Sequence, residues 1–262
     1  MQYKDYLALK KKIVPRLQFN QSIYEDAVAE HVSGDTVWLD AGGGKHIFPS
    51  WREEAERELV RKARLVVGCD VDEVSMRQHR TLRRLVVADL KKLPFKAGSV
   101  SLITCNMVVE HLPRPLAVFA EFARVLTAGG RVIVHTPNAI SHFVVGSRFV
   151  PRRLKLKLIK ALEGRPHDEA FPTYYRANTP WRIRTQMAQV GLEKEWCRML
   201  ASDAILAVTH PLLVVPELLY IRLTLRSSLK FLRVSILGSF IKRSGRTNDR
   251  ERPAKTTILT GL

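Results

Sequence analysis

The stretch "VWLDAGGGKH", residues 37–46, places an apolar run and an aspartate directly before three consecutive glycines. A short apolar run bounded by turn residues reads as a buried strand. Glycines after it let main-chain atoms come unusually close to a ligand. A dinucleotide fingerprint, G-x-G-x-x-G, needs its third glycine where this chain has Ile47. A phosphate loop, G-x-x-x-x-G-K-[ST], is absent, because Gly44-Lys45-His46 does not supply its spacing. What remains is a carboxylate at a strand end, a compact glycine turn, and a second carboxylate, Asp70, at the end of the next apolar run, "RLVVGCDV" (64–71).

Working outward, short apolar runs alternate with helical patterns. "SWREEAERELVRKA" (50–63) has Glu and Arg at helical spacing behind a serine cap, and "EVSMRQHRTLR" (73–83) predicts a second helix. "LVVADL" (85–90), "SVSLITCNM" (99–107) and "GRVIVHTP" (130–137) predict three more strands. Between the last two, "PLAVFAEFARVLTAGG" (115–130) reads as a helix closed by a glycine pair. This alternation implies an α/β fold, a doubly wound and mostly parallel sheet with right-handed crossovers. In such sheets the ligand sits at the carboxyl ends of the strands. The informative positions are then Asp40 to His46, Asp70, Asp89, and Asn106 onward.

Carboxylates and close glycines without a phosphate cradle suit S-adenosylmethionine. Its ribose hydroxyls and ammonium group donate to carboxylates. Asp70 could take both ribose hydroxyls, or it could simply cap the next helix. Four segments in order strengthen the first reading: "VWLDAGGGKH", "VVGCDVDE", "VVADLKKLPFKAGSVSLITCNMVVEHL" and "FARVLTAGGRVIVHTPN". Together, over residues 37–138, they resemble the class I S-adenosylmethionine-dependent methyltransferases, in particular the bacterial group with a D-x-G-x-G first motif. The resemblance implies the seven-stranded Rossmann-like sheet of that family, with S-adenosyl-L-methionine as cofactor and no metal. It places Asp40, Ala41, Gly42, Gly43 and Gly44 at the methionine end, Asp70 and Val71 at the ribose, and Asp89 and Leu90 beside the adenine. Asn106 would stand at the fourth strand's end near the methyl group. The departures are His46 in place of a third alternate glycine, Ser101 in place of an aspartate, and the added "HIFPSWREEAE" segment.

Methyl transfer from a sulfonium is an in-line displacement, and a hydroxyl acceptor must lose a proton. Glu110 and His111 are the candidate catalytic residues. A histidine exchanges protons in the physiological range, which points to His111 as base. The alternative is that the pair only sets the angle of the connection to the next helix. His135, on a strand among apolar neighbours, reads as structural. "RPHDEAFPTYYRANTP" (165–180) reads as a loop over the cofactor, with His167, Tyr174, Tyr175 and Arg176 as candidate acceptor-binding residues; self-packing of its aromatics is the other reading.

The chain carries a net charge of +18, of which +13 falls on residues 139–262. Such a basic half suits a polyanionic partner. The predicted organisation is an N-terminal helical cap (1–35), a cofactor-binding core (36–200) with a substrate-side loop (140–180), a basic apolar helical insertion (201–254), and a final core strand (255–262). Within the core's loop, 150–163 reads as a basic amphipathic helix, and 226–246 within the insertion is basic and amphipathic. Residues 204–225 are apolar but broken by Pro211, Pro216 and Glu217, which argues against a spanning segment. Residues 204–246 fit a helical surface against an anionic membrane, or a lid or dimer face. Nucleic acid is the weaker alternative, since no aromatic stacking platform accompanies the charge. Cys69, Cys105 and Cys197 have no metal-binding spacing. With no apolar leader at the N-terminus, the expected location is the cytoplasm, including the inner membrane face. The sequence thus predicts methyl transfer, at oxygen, to a small-molecule or lipid- or glycan-linked acceptor. The alternatives are an RNA or protein methyltransferase, or an inactive cofactor-binding scaffold.

Overall fold

Val37–Ala41 forms β1 at the centre of a seven-stranded sheet in the computed structural model, which describes residues 3–149, 171–204 and 211–243. β1 pairs in parallel with β2 (Leu65–Asp70) on one side and β4 (Val100–Asn106) on the other. β3 (Leu85–Val87) extends one edge, and β5 (Leu126–Pro137) lies beyond β4. β6 (Leu192–Leu200) and β7 (Ser235–Lys242) complete the order β3-β2-β1-β4-β5-β7-β6, with β7 antiparallel to both its neighbours.

Successive residues of the central strands enter opposite layers, as a period of two requires. Leu39, Ile103 and Val132 face one core with Phe119, Phe122 and Ile183. Trp38, Leu102 and Ile133 face the other with Tyr24, Val28 and Phe48. Burial on both faces is why these strands read as continuous apolar runs. The helices that cover them are α1 (Tyr3–Ile13), α2 (Asn20–Ala29), α3 (Glu53–Lys62), α4 (Glu73–Arg77), α5 (Pro115–Val125), α6 (His142–Phe149), α7 (Pro180–Gln189) and α8 (Val214–Thr224). Local chemistry sets several starts. Asp72 accepts from the Val74 and Ser75 amides, Thr179 accepts from the Arg182 amide, and prolines open α5 and α7.

Three expectations change. The glycine pair does not close α5, which ends at Val125. Gly129 (φ +78°) and Gly130 instead lie within β5, where the β4–β5 register shifts between Val100 and Leu102. A Cβ at Gly130 would stand 3.1 Å from the Ser101 carbonyl, so the close strand approach needs the glycine. The helix expected at 73–83 is a single short turn to Arg77. The helical insertion expected through 254 is interrupted at Ser235, because residues 235–242 are the buried strand β7. The basic, amphipathic stretch 226–246 is accordingly divided between the turn Ser227–Leu232 and β7. Arg233 and Lys242 flank that apolar run, and Ser239 is buried by donating to Glu195 Oε2 at 2.8 Å. The final core strand expected at 255–262, and the helix expected at 150–163, lie outside the described residues.

Candidate active site

The glycine turn is fixed from both sides. Gly42 (φ +78°) and Gly44 (φ +48°) adopt left-handed conformations that other residues enter at a cost. The Gly42 amide donates to the Cys69 carbonyl at 2.7 Å, tying the turn to the end of β2. A Cβ on Gly42 would lie 2.2 Å from Val108 Cγ2. On Gly43 it would lie 2.7 Å from Asp40 Oδ2. Gly44 has open space where a side chain would stand. Asp70 then braces the turn: Oδ2 accepts from the Gly44 amide at 3.1 Å, and Oδ1 accepts from the Asp72 amide at 3.0 Å. The carboxylate that caps α4 is Asp72, so Asp70 is not that cap. Its oxygens keep further lone pairs that face the cleft.

That cleft, about 750 Å³, opens at the carboxyl ends of β1, β2 and β4. Of the expected cofactor set, Asp40, Gly42, Gly43, Gly44, Asp70, Val71, Asp89, Leu90 and Asn106 all line it. Ala41 is buried and is not among the lining residues. Asp40 sits at the end of a buried chain, in which Trp38 Nε1 donates to Thr104 Oγ1 at 2.7 Å and Thr104 Oγ1 donates to Asp40 Oδ1 at 2.6 Å. Burial pushes the Asp40 carboxyl up to about 7, against the opposing pull of the Thr104 bond. Asp89 is held below the usual carboxylate range, first by the Lys91 amide, which donates to it at 2.9 Å.

Asn106 is oriented from behind. His135 is fully buried, and burial lowers its ring to about 4, so it is neutral near pH 7. Its Nδ1 donates to Asn106 Oδ1 at 2.9 Å, and Nε2 accepts from Ser235 Oγ at 3.2 Å. The ring stacks on Tyr24 at 5.6 Å. His135 is therefore structural, as its apolar neighbours suggested. Next to Asn106, Met107 takes φ +56°, an uncommon conformation for a side chain of this size, on the cleft wall.

Glu110 and His111, adjacent in the tight turn Val109–His111, keep their side chains within reach of each other, with Glu110 Oε1 3.9 Å from His111 Nε2. Glu110 is buried and is not among the cleft-lining residues. Its Oε2 accepts from Thr136 Oγ1 at 2.9 Å, and Asn178 Nδ2 donates to the same hydroxyl at 2.6 Å. Burial raises its carboxyl. The expectation that Glu110 is catalytic is corrected: it ties the turn to β5 and to the segment before α7. His111 lines the cleft, with its ring edge-on to Phe171 at 6.1 Å. Its Nδ1 donates to the Pro172 carbonyl at 3.0 Å, which leaves Nε2 with its lone pair in the neutral ring.

The expected acceptor residues fare differently. Tyr174 and Tyr175 give their amides to the Glu110 carbonyl at 2.7 and 3.2 Å, and the chain turns at Tyr175 (φ +51°). That turn leaves Tyr174, Tyr175 and Arg176 out of the cleft lining, and Phe171 supplies the aromatic wall instead. His167 lies outside the described residues. The sequence reading missed Gln21 and Arg114, and gave Lys45 and His46, inside its informative span, no role; all four line the cleft. Gln21 comes from α2, is 8 % exposed, and its Nε2 has no hydrogen-bond partner in the protein. Among the described residues no group of three His, Cys, Asp or Glu side chains is placed to hold a metal ion.

Comparison with known proteins agrees with this layout. Residues 39–134 match the family described as "Methyltransferase domain". A ubiquinone biosynthesis O-methyltransferase of Xanthomonas oryzae is 35% identical over 63 residues, 22% of this chain and 26% of that protein. A malonyl-[acyl-carrier protein] O-methyltransferase of Hahella chejuensis is 46% identical over 50 residues, 19% of this chain and 18% of that one. The chain thus spans about a quarter or less of the length of these curated relatives. Among solved structures, a methyltransferase from Bacillus halodurans superposes with a TM-score of 0.52 at 16% identity, over 86% of this chain and 99% of that one. The last likeness is one of fold.

Proposed function

We propose that the chain, whose residues 39–134 match the methyltransferase-domain family, is a class I S-adenosylmethionine-dependent methyltransferase that transfers the methyl group to an oxygen of a small-molecule or lipid- or glycan-linked acceptor. The observation that carries the reading is the braced glycine turn. Asp70 holds the turn by two amides and lines the cleft, where its remaining lone pairs would accept from a ribose diol. Asp89 and Leu90 line the same cleft and would flank the adenine, and Asn106, also on its wall, would stand near the methyl group.

Catalysis then requires alignment and one proton transfer. The acceptor hydroxyl gives its proton to His111 Nε2 as its oxygen forms the bond to the methyl carbon. The carbon–sulfur bond breaks, and its electron pair stays on sulfur, leaving the neutral thioether S-adenosylhomocysteine. The Pro172 carbonyl fixes the ring so that Nε2 keeps the accepting lone pair. The O-methyltransferase names of the two relatives favour oxygen as the acceptor atom. Incubating the protein with methyl-labelled cofactor and host extract tests the reading. Label in small molecules or extractable lipid supports it, and label confined to RNA or protein contradicts the acceptor class.

Asp40 adds a pH signature. Burial raises its carboxyl to about 7. The cationic cofactor favours the ionised form, so below that value binding must drive a proton off. Cofactor affinity is therefore expected to rise with pH up to about 7, by at most about tenfold per pH unit, and to level off above it. For folding stability the sign is opposite. A raised carboxyl contributes stability that is present below its unfolded value and is lost as pH rises through about 7. Calorimetric titrations across this range check the slope; Asp40→Asn should flatten it, and an unchanged slope in that variant would remove Asp40 as its source.

A further inference from the structure

We propose that α1 and the outer face of α8 form a single surface that docks on an anionic lipid bilayer. The helix α8 is apolar on both sides. Val214, Leu218 and Ile221 are buried against Val14 of the α1 segment. Val215, Leu219 and Leu223, at helical spacing on the opposite side, are 41%, 47% and 47% exposed. A helix apolar all round belongs in a core or against another apolar phase. Leu7 of α1 and Phe231 of the following turn add 41% and 48% exposed apolar side chains on the same two-helix layer.

The exposed charges around this face are basic, with Asp5 in the first turn of α1 as the exception. Arg222, Arg226 and Lys230 follow the stripe on α8, and Lys4, Lys11, Lys12 and Arg16 are exposed on and after α1. Among the described residues none of these seven forms an ion pair. The acids nearby are otherwise engaged: Glu217 is buried beside His142, and Asp203 pairs with Lys10. Exposed aliphatic side chains set among unpaired cations match the interfacial zone of an anionic leaflet, which takes the leucines below the headgroups and the cations at the phosphates. Two copies of this face would bring like charges together, and a nucleic acid would leave the leucines in water.

The position gives the contact a use. α8 lies between the end of β6 and the start of β7, beside the carboxyl end of β5. Asn138 donates from that end to the Phe231 and Arg233 carbonyls at 2.8 Å, and His142 packs on Tyr220 at 4.3 Å. The docking face therefore shares the sheet edge onto which the cleft opens. No helix among the described residues is long and apolar enough to cross a membrane, so the contact is peripheral.

Flotation with vesicles of phosphatidylcholine alone, or phosphatidylcholine with phosphatidylglycerol, tests this on the full chain. The protein is expected to float with the anionic vesicles only, and to be released at about 1 M salt, where the screening length falls to about 3 Å. Leu219→Asp/Leu223→Asp and Arg222→Gln/Arg226→Gln should each abolish most of the flotation while S-adenosylmethionine binding, read by calorimetry, stays at the wild-type value. Absence of flotation, flotation indifferent to both variants, or a dimer that the leucine variant dissociates without any vesicle binding would each overturn the proposal. Because vesicle binding is read without turnover, its failure is separable from failure of the methyl-transfer reading.

Discussion

Asp70→Ala is expected to weaken S-adenosylmethionine binding by about a hundredfold or more. Hydrogen bonds to a charged acceptor are each worth about 1.5–3 kcal/mol, and every 1.4 kcal/mol is about tenfold in affinity. Losing two ribose bonds therefore exceeds two decades. The variant also frees the Gly44 and Asp72 amides, so part of the loss is a looser turn. Asp70→Asn separates the two contributions. It keeps the side chain's shape and one accepting oxygen, and should fall between alanine and wild type. Calorimetry with cofactor and with S-adenosylhomocysteine reads both, and a thermal melt reports the fold. Wild-type affinity in Asp70→Ala would mean that the ribose is held elsewhere.

His111→Ala should lower turnover by about 10²–10⁴-fold, the usual contribution of a positioned general base, while leaving cofactor affinity close to wild type. The contrast with Glu110 sharpens this test. Glu110→Gln keeps a group that can accept from Thr136 and should retain most turnover with, at most, a lower melting temperature, because that carboxylate is buried behind His111, 3.9 Å from its Nε2, and does not line the cleft. If His111→Ala turns over normally, the acceptor needs no base on this side. If Glu110→Gln alone removes turnover while the protein melts normally, the assignment of the pair is reversed.

Much of this was legible in the sequence, and the reasons are local. β1, β2, β4 and β5 are buried on both faces, so each appears as an unbroken apolar run, and the carboxylates and glycines that matter stand one or two residues past those runs. Asp40, Asp70 and Asn106 could be found by that rule alone, whereas Asp89 stands two residues past β3, a half-exposed edge strand. β7 obeys the same physics, but its run is flanked by Arg233 and Lys242 within a basic stretch, and charge obscured it. The failure at Glu110 has a different origin. The two side chains lie within 3.9 Å of each other, and composition does not say which of them lines the cleft and which is buried behind it. Gln21 was invisible for a third reason. It arrives from α2, sixteen residues before the first strand, and only the packing of that helix over the sheet brings its unpaired amide to the site. His46, where a third alternate glycine was expected, is accommodated because it lines the open cleft rather than the packed inside of the turn.

The central claim is that the turn after β1 holds an adenosyl sulfonium. Calorimetric titration of the full chain with S-adenosylmethionine, S-adenosylhomocysteine and NAD in parallel tests it most directly. The account predicts saturable one-to-one binding of the first two, none of the third, and loss of both in Asp70→Ala. Binding of NAD, or no heat with either adenosyl compound from a folded sample, would contradict it.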